Sequence, residues 1–260
     1  MSAMQVIDDV REAGGSVEAF SSYCGGLPAP EANTNPLGYK FSWSPRGVLL
    51  ASRNSARYLN DGKEVSIPGP ELFANSVEVS IPGVATFEGY PNRNSLPYID
   101  TYGITTARGM FRGTLRNLGW CETMMAFARL GLVDDTSSPW PGERYCDLTL
   151  RKIGEASEPT AAVARFLGVA EDSHPVAVLR WLGLLSEERL PEGERAPLDI
   201  LVDVMLDKMA YEPGERDMVV LRHEFLAVFP DRNERITATL VAYGEFNGRS
   251  AMSRTVGLPA

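Results

Sequence analysis

The chain has 260 residues, of which 44% are hydrophobic and 23% are charged, so it has enough apolar material for a folded core. This composition excludes disordered, collagen-like and fibrous proteins. The formal net charge of -9 gives no overall positive field, so we expect no nucleic-acid partner. The apolar runs are far shorter than the roughly 20 residues of a membrane-spanning helix, so we expect no membrane insertion. The first residues lack a secretory signal and predict a cytoplasmic protein, or an organellar one if a leader has been removed.

Cysteine and histidine usage argues against a disulfide framework and against a metal site. Cys24, Cys121 and Cys146 are widely spaced and form no C-x-x-C pair, which also argues against zinc. His174 and His223 are isolated in the sequence, and isolated histidines are more often structural or exposed than ligating. We therefore predict no metal site.

The first residues predict a helix followed by a strand. Apolar residues recur at helical spacing over 4–10, and the glycine pair at 14–15 follows where a C-terminal cap belongs. Residues 17–23 predict a strand. This strand should end at 24–31, which we expect to form a shaped loop because it is rich in glycine and proline.

The next elements are a helix, a hairpin and two more strands. Ser44 as N-cap, followed by proline, predicts a helix over 46–53. Residues 57–67 predict a hairpin, because Asn-Asp-Gly-Lys lies at the centre of this segment. Residues 84–90 and 108–113 are rich in β-branched or aromatic residues and predict strands.

In the second half the apolar period changes from two to 3.6 residues, which predicts helices. The predicted helices are 120–132, 142–153, 159–167, 175–185 and 197–211. Residues 217–229 and 234–243 predict a closing antiparallel hairpin, and 248–258 a polar loop and helix start. The sequence thus predicts an α+β fold in which 1–117 and 212–260 form a domain with a mixed β-sheet. Residues 118–211 form an inserted all-helical subdomain.

Motifs that bind nucleotide phosphates are absent from the sequence. It contains no G-x-G-x-x-G after a strand, no Walker A run and no nucleophile elbow, so no phosphate-binding loop is expected. Spacing alone indicates a substrate-binding or oligomerisation domain.

Several segments together carry a resemblance to a known family. They are Cys-Gly-Gly-Leu-Pro at 24–28, Trp-Ser-Pro-Arg-Gly at 43–47, Gly-Tyr-Pro-Asn-Arg at 89–93, Arg-Gly-Thr-Leu-Arg at 112–116 and Ser-Ala-Met-Ser-Arg-Thr-Val-Gly-Leu-Pro at 250–259. In this order they resemble saccharopine dehydrogenases of the glutamate-forming type, a module shared with bifunctional aminoadipic semialdehyde synthases. The resemblance covers nearly the whole chain and is weakest over 134–216.

The resemblance implies the substrate-binding and dimerisation part of an oxidoreductase of lysine metabolism. The family oxidises saccharopine with NAD or NADP to an imine, which water splits into L-glutamate and 2-aminoadipate 6-semialdehyde. It also implies that the cofactor is bound mainly by a Rossmann domain absent from this chain, without which the chain is expected to be inactive. The implied partners are saccharopine, that Rossmann domain and a second copy in a homodimer. A bifunctional eukaryotic enzyme would be mitochondrial.

The resemblance also assigns substrate-binding residues. Arg93 and Arg116 match the family's substrate arginines, and a guanidinium binds a carboxylate through two parallel hydrogen bonds. The amides of Thr114 and Leu115 are expected to join this contact. Cys24 matches a cysteine beside the substrate, where we expect packing rather than a nucleophilic role.

The cofactor and catalytic assignments are less direct. Ser44 and Arg46 match a segment that approaches the cofactor, although Ser44 also fits a helix cap. Tyr39 and Lys40 are nearby in sequence and are equally well explained as structural. No catalytic acid or base is assigned.

Two other functions fit the same segments. One is a non-catalytic dimerisation or amino-acid-binding module that retains the fold. The other is a related dehydrogenase, such as carboxynorspermidine dehydrogenase. The two matched arginines favour saccharopine, because a scaffold has no need of arginines at ligand positions and a polyamine has fewer carboxylates to bind.

Overall fold

The computed structural model describes residues 2–51, 53–140, 142–154 and 158–257. Positions 52, 258 and 259, which belong to segments discussed above, lie outside these ranges. The helices are α1 (Ser2–Glu12), α2 (Pro45–Ala51), α3 (Tyr98–Thr101), α4 (Trp120–Leu130), α5 (Tyr145–Leu150), α6 (Pro159–Leu167), α7 (His174–Leu182), α8 (Pro197–Met209) and α9 (Ala251–Gly257).

Ten strands accompany these helices in the described ranges. They are β1 (Ser16–Pro28), β2 (Ala56–Asn60), β3 (Lys63–Ile67), β4 (Val77–Ile81), β5 (Ala85–Pro91), β6 (Gly109–Arg116), β7 (Ser138–Pro139), β8 (Glu194–Arg195), β9 (Asp217–Val228) and β10 (Asn233–Tyr243).

The main sheet is mixed, as predicted. Its strand order is β10-β9-β1-β6-β2-β3, and β5 pairs with both β6 and β4. Strands β1 and β6 are parallel, whereas β1 and β9, β9 and β10, and β5 and β6 are antiparallel. The central position of β1 and β6 matters for function, because most of the predicted substrate residues lie on these two strands.

The predicted loop at 24–31 is wrong over its first half, because β1 continues through Pro28. Gly25 allows this. A Cβ on Gly25 would lie 2.8 Å from the Leu115 carbonyl oxygen. Glycine therefore permits close packing inside the sheet instead of ending the strand. Cys24 is consequently a central strand residue.

Local signals placed most other elements correctly. The hairpin of β2 and β3 turns through Asp61 and Gly62, both with positive φ, as its Asp-Gly pair predicts. Helices α4, α6 and α7 end at left-handed glycines, and α5 and α7 are shorter than predicted. Strand β4 was not predicted.

Two hydrophobic layers cover opposite faces of the sheet. On one face α1 packs through Ile7 and Val10 against Phe20 of β1 and Phe225 of β9. On the other face the hairpin of β4 and β5 packs against a cluster that includes Leu115. Residues alternate between faces along a strand, so Arg112, Thr114 and Arg116 share the face opposite Leu115.

Helices α4 to α8 lie between β6 and β9 in the sequence and pack around one apolar cluster. This cluster also contains Leu37, Tyr39 and Tyr90 from outside the predicted insertion. A short pairing of β7 with β8 lies among the helices. The domain boundaries at 118 and 211 stay a prediction. Within the described ranges, no helix combines the length and apolarity needed to span a bilayer.

Candidate functional site

Strand register places three of the predicted substrate residues, Cys24, Thr114 and Arg116, on one face of the sheet. Cys24 of β1 lies opposite Thr114 of β6, and Ser22 lies opposite Arg112. On its other side, β1 places Ser22 opposite His223 of β9. Three adjacent strands therefore contribute polar side chains to a single surface.

Arg116, the last residue of β6, is a buried cation. It is 6% exposed, and its guanidinium carbon lies 4.9 Å from the ring centroid of Tyr39 and 5.3 Å from that of Trp120. One terminal nitrogen donates to the Leu115 carbonyl at 2.8 Å. The Nε atom has no hydrogen-bond partner among the described residues, and no described carboxylate forms an ion pair with Arg116.

Burial opposes the charge on Arg116 but does not remove it. The surrounding groups, chiefly Tyr90 and Tyr39, outweigh the desolvation and raise the pKa of the guanidinium above its ordinary value. An arginine side chain stays charged in proteins in any case. Because a buried charge without a counter-ion is costly, this site favours an external anion.

The acidic residue beside Arg116 is occupied elsewhere. Glu88 of β5 lies opposite Arg116 in the strand register. Its carboxylate instead accepts hydrogen bonds from the backbone nitrogens of Gly119 at 3.1 Å and Cys121 at 2.7 Å. These are free N–H groups of the first turn of α4, where a carboxylate is favoured. Glu88 thus caps a helix and leaves Arg116 without an ion pair.

Cys24 lies between two arginines but remains a neutral thiol. Desolvation by its surroundings raises the pKa of the thiol, although Arg116 and Arg112 act in the opposite direction. A thiolate would be needed for nucleophilic attack. A raised thiol pKa argues against a nucleophilic role, and the packing role of this exposed cysteine stays a prediction.

Thr114 and Leu115 lie near the end of β6. Leu115 is fully buried on the far face, so its side chain is not part of the site surface. Thr114 is half-buried and lies opposite Tyr90. The amide contacts predicted for both residues stay a prediction.

Arg93 is exposed, in contrast to Arg116. It follows β5 in a left-handed conformation, with φ of 51°, which is uncommon outside glycine. Its carbonyl accepts from the Arg57 backbone nitrogen at 2.9 Å, which fixes the loop. Its guanidinium forms no ion pair with the described part of the chain, so it is available to a ligand.

The two residues matched to the cofactor segment make other contacts. Ser44 Oγ accepts from the backbone nitrogen of Gly47 at 3.2 Å, so it caps α2 as the alternative reading predicts. Arg46 pairs with Asp199 of α8. Both side chains are thus engaged within the described chain, and their cofactor role stays a prediction.

Tyr39 and Lys40 are structural in this arrangement. Tyr39 is fully buried, and its hydroxyl accepts from Nε1 of Trp43 at 3.2 Å. Lys40 is 5% exposed and donates to both carboxylate oxygens of Glu215 at 2.6 Å. A cation paired in this way is not free to bind substrate or move a proton.

Sequence reasoning missed several polar residues at this surface, among them Asn92, Tyr98, Arg112 and His223. Together with Cys24 they line a cleft of about 310 Å³. Arg112 belongs to the Arg-Gly-Thr-Leu-Arg motif, but the motif alone does not show that its side chain lines the cleft. The sequence predicts a structural or exposed His223, because its place beside β1 depends on strand order. Among described residues, no group of three or more His, Cys, Asp or Glu side chains could hold a metal ion.

A mixed sheet with flanking helices, in which the buried guanidinium of Arg116 has no ion pair among the described residues, defines an α+β domain with a polar cleft. The family of the saccharopine dehydrogenase C-terminal domain matches residues 1–260. The chain therefore belongs to the saccharopine dehydrogenase C-terminal domain family.

Known relatives agree with this assignment along the whole chain. The chain is 41% identical to saccharopine dehydrogenase (NADP(+), L-glutamate-forming) of Saccharomyces cerevisiae, over 99% of the chain and 60% of that protein. It is 41% identical to the mitochondrial alpha-aminoadipic semialdehyde synthase of Mus musculus, over 100% of the chain and 29% of that protein. The chain thus spans less than two thirds of each relative's length.

A solved structure has the same fold. The apo saccharopine dehydrogenase (L-Glu forming) from Saccharomyces cerevisiae matches with a TM-score of 0.90 and 40% sequence identity. The match covers 99% of this chain and 60% of that one. The predicted α+β class is therefore confirmed.

Proposed function

We propose that this chain binds the carboxylates of saccharopine as the substrate-binding part of a saccharopine dehydrogenase. The observation that carries the proposal is Arg116, a guanidinium that is 6% exposed and has an unpartnered Nε. Retaining such a cation is costly in the absence of an anion. A substrate carboxylate would supply the missing charge.

The proposed reaction oxidises the secondary amine between the lysine and glutamate parts of saccharopine to an imine. Water then splits the imine into L-glutamate and 2-aminoadipate 6-semialdehyde. Saccharopine has three carboxylates, which need local cations because the chain carries a net charge of -9. We assign Arg116 and Arg93 to two of them, with Cys24 packing against the substrate. The catalytic acid and base remain unassigned.

We place the cofactor mainly on a separate Rossmann domain. Fungal relatives have NADP(+) in their names, and we propose the same cofactor class here. The sequence has no dinucleotide fingerprint, which supports a separate nucleotide site. For Arg46 to reach a cofactor, it would have to release Asp199.

We also propose that two copies of the chain pair through an incompletely covered aromatic patch of the sheet. Tyr23 and Phe111 lie on the face opposite Cys24 and Arg112, with ring centroids 5.2 Å apart, and Tyr58 packs 5.1 Å from Phe111. These rings are half-buried, and a second copy would cover them. Light scattering should give a dimer, and Phe111→Lys should shift it toward monomer. A monomeric wild-type protein at high concentration would contradict the pairing.

The compartment follows from the type of enzyme. The mammalian synthases that resemble this chain are named as mitochondrial. We propose a cytoplasmic location for a stand-alone dehydrogenase and a mitochondrial one for a bifunctional synthase.

Isothermal titration of the chain with saccharopine tests the substrate assignment. We expect saturable binding that Arg116→Met weakens at least tenfold, because methionine keeps the apolar stem but not the charge. Arg165→Met is the matched control, since Arg165 is exposed on α6, and it should bind as the wild type does. Equal affinity of wild type and Arg116→Met, or no binding by the wild type, would contradict the proposal.

A further inference from the structure

A second cationic side chain, Arg112, four positions before Arg116 on β6, lines the polar cleft. The lining includes Ser22, Cys24, Asn92, Tyr98, Arg112 and His223. The guanidinium carbon of Arg112 lies 4.1 Å from the ring centroid of Tyr98. No described carboxylate forms an ion pair with Arg112, and none lines the cleft.

The backbone of Arg112 is held firmly. Its backbone nitrogen donates to Ser95 Oγ at 3.0 Å, and its carbonyl accepts from the Asn92 backbone nitrogen at 2.8 Å. Stacking on Tyr98 restricts the side chain as well. A cation that is fixed but has no counter-ion is suited to binding an anion from solution.

His223 adds an unsatisfied polar group to the same cleft. It is 6% exposed, and its Nδ1 has no hydrogen-bond partner among the described residues. Its Nε2 lies 3.2 Å from Ser2 Oγ. Burial lowers the pKa of the ring, so His223 is neutral near pH 7 and can offer a hydrogen-bond acceptor. A buried ring nitrogen without a partner indicates a missing one.

This combination of groups differs from that around Arg116. Neutral acceptors accompany the cation at Arg112, namely His223, the Ser22 hydroxyl and the Asn92 side-chain carbonyl. An α-amino acid head group needs both, because its carboxylate pairs with a guanidinium and its ammonium donates to neutral acceptors. Aromatic rings and thiols surround Arg116 instead, and they suit a carboxylate alone.

The distance between the two arginines fits an elongated ligand. Arg112 and Arg116 are four positions apart on β6 and share a face, so their Cα atoms are about 13 Å apart. Cys24 lies opposite Thr114 in the strand register, and Thr114 is midway between the two arginines on β6. The butyl chain and secondary amine of saccharopine separate its α-amino acid head from the glutamate carboxylates in a similar way.

We propose that Arg112 and His223 form the subsite for the α-amino acid head group at the lysine-derived end of saccharopine. Arg116 then binds a carboxylate of the glutamate part, and Cys24 packs along the connecting chain. This inference rests on the proposed function, since it divides the same substrate between two subsites.

Side-chain NMR on the full wild-type chain tests the division without a mutation. Nitrogen-labelled arginine and histidine report Arg112, Arg116 and His223, and the probes are saccharopine, L-norleucine and glutarate. Norleucine carries only the amino acid head and alkyl chain, so it should shift Arg112 and His223. Glutarate should shift Arg116, and saccharopine should shift all three.

Each outcome separates the subsite from the proposed function. If saccharopine shifts Arg116 while norleucine leaves Arg112 and His223 unmoved at tens of millimolar, the subsite is wrong and the function stands. If saccharopine shifts neither arginine, both are wrong.

As a second measurement, Arg112→Met should weaken saccharopine binding at least tenfold and leave glutarate binding unchanged. Equal loss for both ligands would overturn the division.

Discussion

Two buried cations in this protein have opposite environments. Lys40 is 5% exposed and Arg116 is 6% exposed. Lys40 donates to both carboxylate oxygens of Glu215, whereas the acidic neighbour of Arg116, Glu88, caps a helix instead. Because only one of these two buried cations has a carboxylate partner, burial alone does not identify a functional cation. What distinguishes Arg116 is the absence of a counter-ion among the described residues.

The largest expected effect comes from removing the partner of Lys40. Glu215→Gln should lower the free energy of unfolding by about 3 kcal/mol, because it leaves a buried ammonium uncompensated. Burial alone would raise the pKa of Glu215, but the hydrogen bond from Lys40 outweighs it and holds that pKa below its usual value. Urea unfolding measures the change.

The matched control is an exposed ion pair. Glu64 pairs with Arg57 at 2.6 Å, and both side chains are 47% exposed. Glu64→Gln should cost less than about 1 kcal/mol, because water screens such pairs. Equal costs for Glu215→Gln and Glu64→Gln would show that Lys40 does not depend on its carboxylate.

A smaller effect is expected at His223 in the cleft, whose ring is neutral near pH 7 and becomes a cation when it is protonated. Because its folded pKa is lowered by burial, the unfolded state binds more protons as the pH falls below about 6.5. Stability is therefore complete above that pH and declines below it, by at most about 1.4 kcal/mol per pH unit. His223→Gln should lose this part of the pH dependence in urea unfolding from pH 5 to 8. Identical pH profiles would contradict it.

Arg93 extends the comparison to an exposed arginine. Arg93→Ala should weaken saccharopine binding about fivefold, or about 1 kcal/mol, because water screens an exposed ion pair. Its free energy of unfolding should not change. Calorimetric titration gives the affinity, and a loss as large as that of Arg116→Met would show that Arg93 becomes buried on binding.

The smallest effect is expected at Cys24. Because desolvation raises the pKa of its thiol, no thiolate is present to lose on substitution. Cys24→Ser should keep the saccharopine affinity within about twofold, since serine has nearly the same shape. A tenfold loss in the same titration would indicate a charged or covalent role.

Local signals in the sequence were sufficient for much of the fold. Glycine caps end α4, α6 and α7, and the Asp-Gly turn joins β2 to β3. The strand through Gly25 and Gly26 was mispredicted, because its stability comes from β6 and β9 on either side. Local composition cannot report such neighbours.

The site residues likewise fall into those that the sequence identified and those that only the three-dimensional structure shows. The family resemblance identified Arg116 from its motif, and the structure adds that it is buried and unpaired. Arg112 and His223 were missed because they converge only through the order β9-β1-β6. Whether Glu88 pairs with Arg116 or caps α4 likewise depends on three-dimensional geometry.

Urea unfolding of wild type and Arg116→Met, each with and without saccharopine, tests the role of the unpaired guanidinium most directly. Without ligand, Arg116→Met should be as stable as the wild type or more stable, because replacing a buried uncompensated charge with an apolar side chain removes its desolvation cost. With the same concentration of saccharopine, the wild type should gain more stability than Arg116→Met, by about 1.4 kcal/mol for each tenfold difference in affinity. If the free energy of unfolding of Arg116→Met without ligand falls by about 3 kcal/mol, as expected for Glu215→Gln, Arg116 is a structural cation. The contrast between Lys40 and Arg116 would then be wrong.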